Sequence, residues 1–135
     1  MNANEITRLK PLIEYIARIP GIASAYLFGS SVKKGIDGGR DLDIALLFHP
    51  DRERLIDRLA VMTELSRIAG IDVDVAVLND ASPAFYHEVR SGGVLILDGD
   101  PTFRKMMEIR SRKFYDDYRH LHAIYMRGIR ARYGQ

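Results

Sequence analysis

Residues 26–45 read Tyr-Leu-Phe-Gly-Ser-Ser-Val-Lys-Lys-Gly-Ile-Asp-Gly-Gly-Arg-Asp-Leu-Asp-Ile-Ala, and the fold turns on how this stretch divides. The apolar run Ile22 to Phe28 reads as a short buried strand that stops at Gly29-Ser30. Residues 31–40 hold three glycines and four charges, so they read as a loop with room for one helical turn. Leu42 to Phe48 is apolar again and reads as a second strand. Asp41 and Asp43 flank Leu42 at its start. Residues two apart on a strand share a face, so both carboxylates point the same way.

The rest of the chain builds outward from these two strands. Residues 5–18 carry Ile6, Leu9, Ile13, Ile16 and Ala17 at helical spacing, ended by Pro20-Gly21. Pro11 either kinks this helix or restarts it. Asp51 to Ala69 reads as one amphipathic helix, with Leu55, Leu59, Met62 and Leu65 as its apolar stripe and Gly70 as its stop. Ile71 to Leu78 alternates Asp with apolar residues and reads as a third strand. Pro83 to Arg90 reads as a short helix and Val94 to Leu97 as a fourth strand. Asp100-Pro101 then opens a long C-terminal helix whose one face carries Phe103, Met107, Phe114, Tyr118, Leu121 and Tyr125. The order predicts a single α/β (α+β) layer domain over residues 1–135, with a small mixed sheet of about four strands flanked by helices.

The bulk numbers set limits. A chain of 135 residues suits one core and leaves no room for a second large domain. Hydrophobic residues make up 47% and charged residues 28%, which argues against disorder. A net charge of +2 does not announce a nucleic-acid binder, so direct nucleic-acid binding is not expected. There is no cysteine, hence no disulfide framework and no thiolate chemistry. No segment reaches the ~20 apolar residues of a membrane span, and residues 1–10 are polar, so a cytoplasmic protein is expected.

Three features carry chemistry. Gly29-Ser30 after a buried strand lets a phosphate approach the backbone and aims N–H groups and a hydroxyl at it, although an ordinary strand-ending turn reads the same way. Asp41-x-Asp43 holds two like charges close on an apolar strand, a cost that a hard cation such as Mg²⁺ removes; two solvated aspartates are the plain alternative. Asp72-Val73-Asp74 offers a third carboxylate if its strand lies beside Leu42 to Phe48. Asp72 and Asp74 share a face, so spacing does not choose between them.

The conjunction Gly29-Ser30, ten residues, then Asp41-x-Asp43 resembles the signature of the minimal nucleotidyltransferase (MNT) branch of the polymerase-β-like superfamily. Tyr26 to Ser30 resembles that family's phosphate turn and Asp41 to Ala45 its metal strand. Val73 to Ala81 resembles its third-carboxylate strand, an alignment that favours Asp74. Val32, Lys33 and Lys34 stand where the family often has a small residue and an arginine, and Arg40 where it often has serine.

The resemblance implies a nucleotidyltransferase fold in which Gly29 and Ser30 bind the triphosphate of ATP. It implies that Asp41, Asp43 and Asp74 are catalytic and hold two Mg²⁺ ions, with Asp74 also placed to take the acceptor's proton. Lys33, Lys34 and Arg40 are candidates for neutralising phosphate, or are solvated loop charges. Stand-alone members resemble the antitoxin half of HEPN/MNT pairs, which implies a HEPN-type ribonuclease partner adenylylated on a tyrosine. The alternatives are a small-molecule, aminoglycoside-like nucleotidyltransferase and a silent antitoxin that acts by binding alone.

Other residues are set aside. His120 and His122 lie two apart on a helix and face different ways, a poor metal pair. Counting back from them gives Lys113, Phe114, Tyr115, Asp116 and Asp117, so the chain lacks the arginine of a HEPN Arg-x4–6-His motif. Arg127, Arg130 and Arg132 read as a solvated helix end. The aromatic face of the last helix reads as core or as a dimer surface.

Overall fold

The structure, a computed structural model, describes residues 3–36 and 41–133. Its elements are α1 (Ala3–Ala17), β1 (Ile22–Phe28), α2 (Ser30–Lys34), β2 (Leu42–Phe48), α3 (Arg58–Ala69), β3 (Val73–Val77), α4 (Pro83–Gly92), β4 (Val94–Asp98) and α5 (Pro101–Tyr133). Each helix and strand expected from the sequence is present. α1 runs through Pro11 as one helix and buries Leu9, Leu12 and Ile16.

The helix expected over Asp51–Ala69 is corrected. It begins only at Arg58, where the Asp57 carboxylate accepts from the Ala60 N–H at 3.1 Å and caps the first turn. Asp51 has a φ of 66°, which no right-handed helix tolerates, and Glu53–Leu55 form a separate 3₁₀ turn. The apolar stripe moves with the start. Leu55 and Leu59 are exposed, and Val61 and Leu65 form the buried face of α3. At the other end Gly70, at φ 74°, closes the helix by donating its N–H to Ser66 O.

The strands form one mixed sheet in the order β3-β2-β1-β4. β1 runs antiparallel to β2 and β4, whereas β2 and β3 are parallel and joined through α3. Alternation then sorts side chains to two faces. Leu27, Ile44, Leu46, Phe48, Val73 and Val75 pack with α1 and α3. Tyr26, Ala45, Leu47 and Leu78 pack with Tyr86 and Val89 of α4, under Phe103 and Met107 of α5. Beyond β3, the Asn79 side chain prolongs the ladder: Phe48 N–H donates to Asn79 Oδ1 at 2.9 Å, and Asn79 Nδ2 donates to Phe48 O at 2.8 Å.

A polar network docks α5. Tyr26 Oη donates to Glu108 Oε1 at 2.7 Å; Arg104 bonds Asp98 at 2.8 and 3.0 Å and Glu108 at 3.1 Å. Burial first, then Glu108, holds the Tyr26 hydroxyl far above its ordinary pKa, so it remains a donor. The face expected along α5 divides. Phe103 and Met107 are covered, but Phe114, Tyr118, Leu121 and Tyr125 are exposed. A helix of 33 residues is roughly 50 Å long, more than a four-stranded sheet can cover.

Candidate functional site

The strand register sets the site. Phe28 of β1 pairs with Asp43 of β2, and Asp43 pairs with Asp74 of β3, so the three residues form one row across the sheet. Neighbouring strands lie about 4.8 Å apart, which sets the spacing of the two aspartate backbones. Asp43 belongs to the series with Ala45 and Leu47, and Asp74 to the series with Ala76 and Leu78, so both carboxylates leave the α4/α5 face. Asp41 lies exposed just before β2. Asp72, also exposed, precedes β3, and its carbonyl accepts from the Leu42 N–H at 2.9 Å. The choice that spacing left open is therefore one of register, and the residue opposite Asp43 is Asp74.

Gly29 ends β1 at φ 81°, a conformation that L-residues rarely adopt. A β-carbon there would collide with Oδ2 of Asp43. The glycine thus serves two ends: it turns the chain into α2 and leaves room for a carboxylate. Ser30, the first residue of α2, is exposed. A cavity of about 310 Å³ opens beside this turn, lined by Phe28, Gly29, Ser30, Lys33, Lys34 and Glu88, with Gly92. Lys33 and Lys34 thus flank the turn. Arg40 lies outside the described residues.

The electrostatics tie the acidic residues together. The Asp43 carboxyl is pushed above its ordinary pKa, first by desolvation, then by the charges of Asp74 and Asp41. Asp43 therefore feels both neighbouring charges, and the hard oxygen donors that the three aspartates supply are those that suit Mg²⁺. As placed, among the described residues, no three acidic, histidine or cysteine side chains are gathered tightly enough to hold an ion. Asp74 has partners of its own. Its Oδ1 accepts from its neighbour's N–H, that of Val75, at 3.0 Å, and Nη2 of Arg58 lies 3.9 Å from the same oxygen. Sequence reasoning passed over Arg58, because it lay inside a helix expected to start seven residues earlier.

Residues 10–102 match the family described as Polymerase beta, Nucleotidyltransferase. The chain belongs to the polymerase beta nucleotidyltransferase family. No curated protein matches it. Among solved structures, a chain of the complex of a tri-AMPylated Shewanella oneidensis HEPN toxin with MNT antitoxin is similar, with a TM-score of 0.68 at 20% identity, covering 96% of this chain and 98% of that one. A toxin–antitoxin complex with AMP-PNP gives a TM-score of 0.69 at 22% identity over 96% and 98% of the two chains. The MntA–HepT toxin–antitoxin complex gives 0.68 at 19% identity, over 95% and 98%. The four-stranded mixed sheet and the long last helix are thus those of the nucleotidyltransferase fold. Among the described residues no helix is long and apolar enough to cross a membrane.

Proposed function

We propose that this nucleotidyltransferase is Mg²⁺-dependent and transfers AMP from ATP to a tyrosine hydroxyl of a HEPN-type ribonuclease, as the antitoxin of a pair. The observation that carries this reading is the row of Asp43 and Asp74 on adjacent strands, with Asp41 at its entrance and Gly29 beneath the Asp43 carboxylate. Its support from other proteins is that the same fold occurs in an MNT antitoxin complexed with a tri-AMPylated HEPN toxin, and in a toxin–antitoxin complex with AMP-PNP.

Each residue then has a task. Gly29 lets phosphate oxygens reach the backbone, and the Ser30 hydroxyl and the Lys33 and Lys34 side chains line the cavity where a triphosphate would rest. Asp41 and Asp43 are the residues that would hold the ions, with Asp74 shared on the acceptor side. Bound Mg²⁺ would neutralise phosphate charge and lower the pKa of the acceptor hydroxyl. Asp74, exposed and opposite Asp43, would receive that hydroxyl's proton. Phosphoryl transfer asks little covalent work of a protein, so the rigid pairing of β2 with β3 supplies positioning. The exposed face of α5, with Tyr118, Leu121 and Tyr125, is the surface on which the partner would dock.

The test is intact-mass analysis of the HEPN partner after incubation with this chain, Mg²⁺ and each of ATP, GTP, CTP and UTP. One or more AMP units on tyrosine, from ATP alone, is the expected result. An unmodified partner that is still neutralised by the Asp41→Asn variant would replace this reading with inhibition by contact.

A further inference from the structure

Arg58, the first residue of α3, spans two acceptors on β3. Its Nε donates to Val75 O at 2.6 Å, and its Nη2 lies 3.9 Å from Oδ1 of Asp74. The Val75 N–H in turn donates to that same Oδ1 at 3.0 Å. Both polar groups of Val75 are therefore engaged by side chains on the edge strand of the sheet, and the two side chains are brought face to face. A guanidinium can hold two acceptors at fixed spacing and stays charged at every working pH. It sits beside the acidic row, where Asp74 pairs with Asp43 on the adjacent strand.

We propose that Arg58 is a resident counter-cation for Asp74. This inference rests on the nucleotidyltransferase reading above. Without a divalent ion, Arg58 and the Val75 N–H hold Oδ1 of Asp74 toward the β3 edge, away from Asp43. An ion that uses this oxygen must displace the guanidinium. Arg58 is thus a positioning residue that acts through Asp74: it relieves the repulsion in the resting row and raises the concentration of divalent cation needed to complete it. The Nε bond to the Val75 carbonyl keeps the released guanidinium close by, so the carboxylate is recaptured when the ion leaves.

The test is a Mn²⁺ titration of the full chain, followed by electron paramagnetic resonance without nucleotide. Arg58→Met is expected to bind Mn²⁺ roughly two- to fivefold more tightly than wild type, the range of a part-exposed ion pair, and the gain should shrink at high salt. Arg58→Gln keeps a donor for the Val75 carbonyl but no charge, and should give the same gain; it serves if Arg58→Met does not fold. Arg58→Lys keeps the charge without the fork and should fall between. Folded Arg58→Met and Arg58→Gln proteins that bind Mn²⁺ no more tightly than wild type would overturn the role of Arg58. Asp43→Asn is measured alongside and is expected to lose Mn²⁺. If it binds as well as wild type, the metal site itself is misassigned, and the underlying reading falls with this one.

Discussion

The Asp43 carboxylate rests on Gly29: its Oδ2 fills the space that a β-carbon at that position would need. Gly29→Ala therefore faces two penalties, a φ of 81° and a collision with the candidate metal ligand. The backbone strain costs roughly 1–2 kcal/mol. Moving Asp43 by about 1 Å costs on the order of 10²-fold in transfer rate. The melting temperature and the transfer rate of the folded variant are the measurements. A variant with near-normal transfer would show that Asp43 does not need its place over the glycine.

Asp41→Asn and Asp43→Asn each remove a charged ligand and are expected to lower transfer by about 10³-fold or more, near 4 kcal/mol of transition-state stabilisation. Circular dichroism should find both folded. Normal turnover in a folded Asp41→Asn protein would sink the metal assignment.

The charge on Asp43 also has a pH signature. Its folded pKa is raised, so the folded chain holds this proton more tightly than the unfolded chain. The stabilising contribution is complete below the unfolded value of about 3.9 and is lost as pH rises through the folded value. Without divalent ions, wild type should therefore lose melting temperature relative to Asp43→Asn as pH rises from about 4 through the raised folded value. Added Mg²⁺ should narrow the gap for wild type at neutral pH. Calorimetry across that range decides; a gap independent of pH would mean that Asp43 feels neither burial nor its neighbours.

Asp74→Asn is expected to cost far more transfer than Asp72→Asn, because Asp74 pairs with Asp43 while Asp72 precedes the strand. Single-turnover rates of the two variants, each shown to be folded, give the ranking. The reverse order would place the working carboxylate outside the row.

Leu121 and Tyr125 are exposed on α5, so Leu121→Glu with Tyr125→Glu should leave the isolated chain as stable as wild type, within about 0.5 kcal/mol per site. Binding to the proposed HEPN partner should fall, as read by calorimetric titration. Undiminished binding would move the docking surface elsewhere.

Much of this was legible in the sequence because it depends on local pattern. Gly29-Ser30 and Asp41-x-Asp43 mark a turn and a strand start by residue type alone, and β2 falls where the apolar run predicts it. What was not legible depends on contacts between distant segments. Nothing in residues 51–57 says that Asp57, rather than Asp51, caps α3; that follows from the backbone turn at Asp51 and the 3₁₀ turn after it. Arg58 gains its meaning only because α3 starts beside Val75. Asp72 and Asp74 are equivalent by periodicity; the family resemblance favours Asp74, and the pairing with β2 sets that residue opposite Asp43.

That last distinction is made at a distance. A slip of two residues between β2 and β3 would keep every side chain on its proper face, since the pleat repeats every second residue, and would set Asp72 opposite Asp43. Hydrophobic sorting cannot reject this frame. The Asn79 amide can, because it bonds both the N–H and the carbonyl of Phe48 in the observed pairing and would lose both in the slipped one. An uncharged side chain at the far end of the strand thus acts as an indexing pin for the pairing that sets Asp74 opposite Asp43.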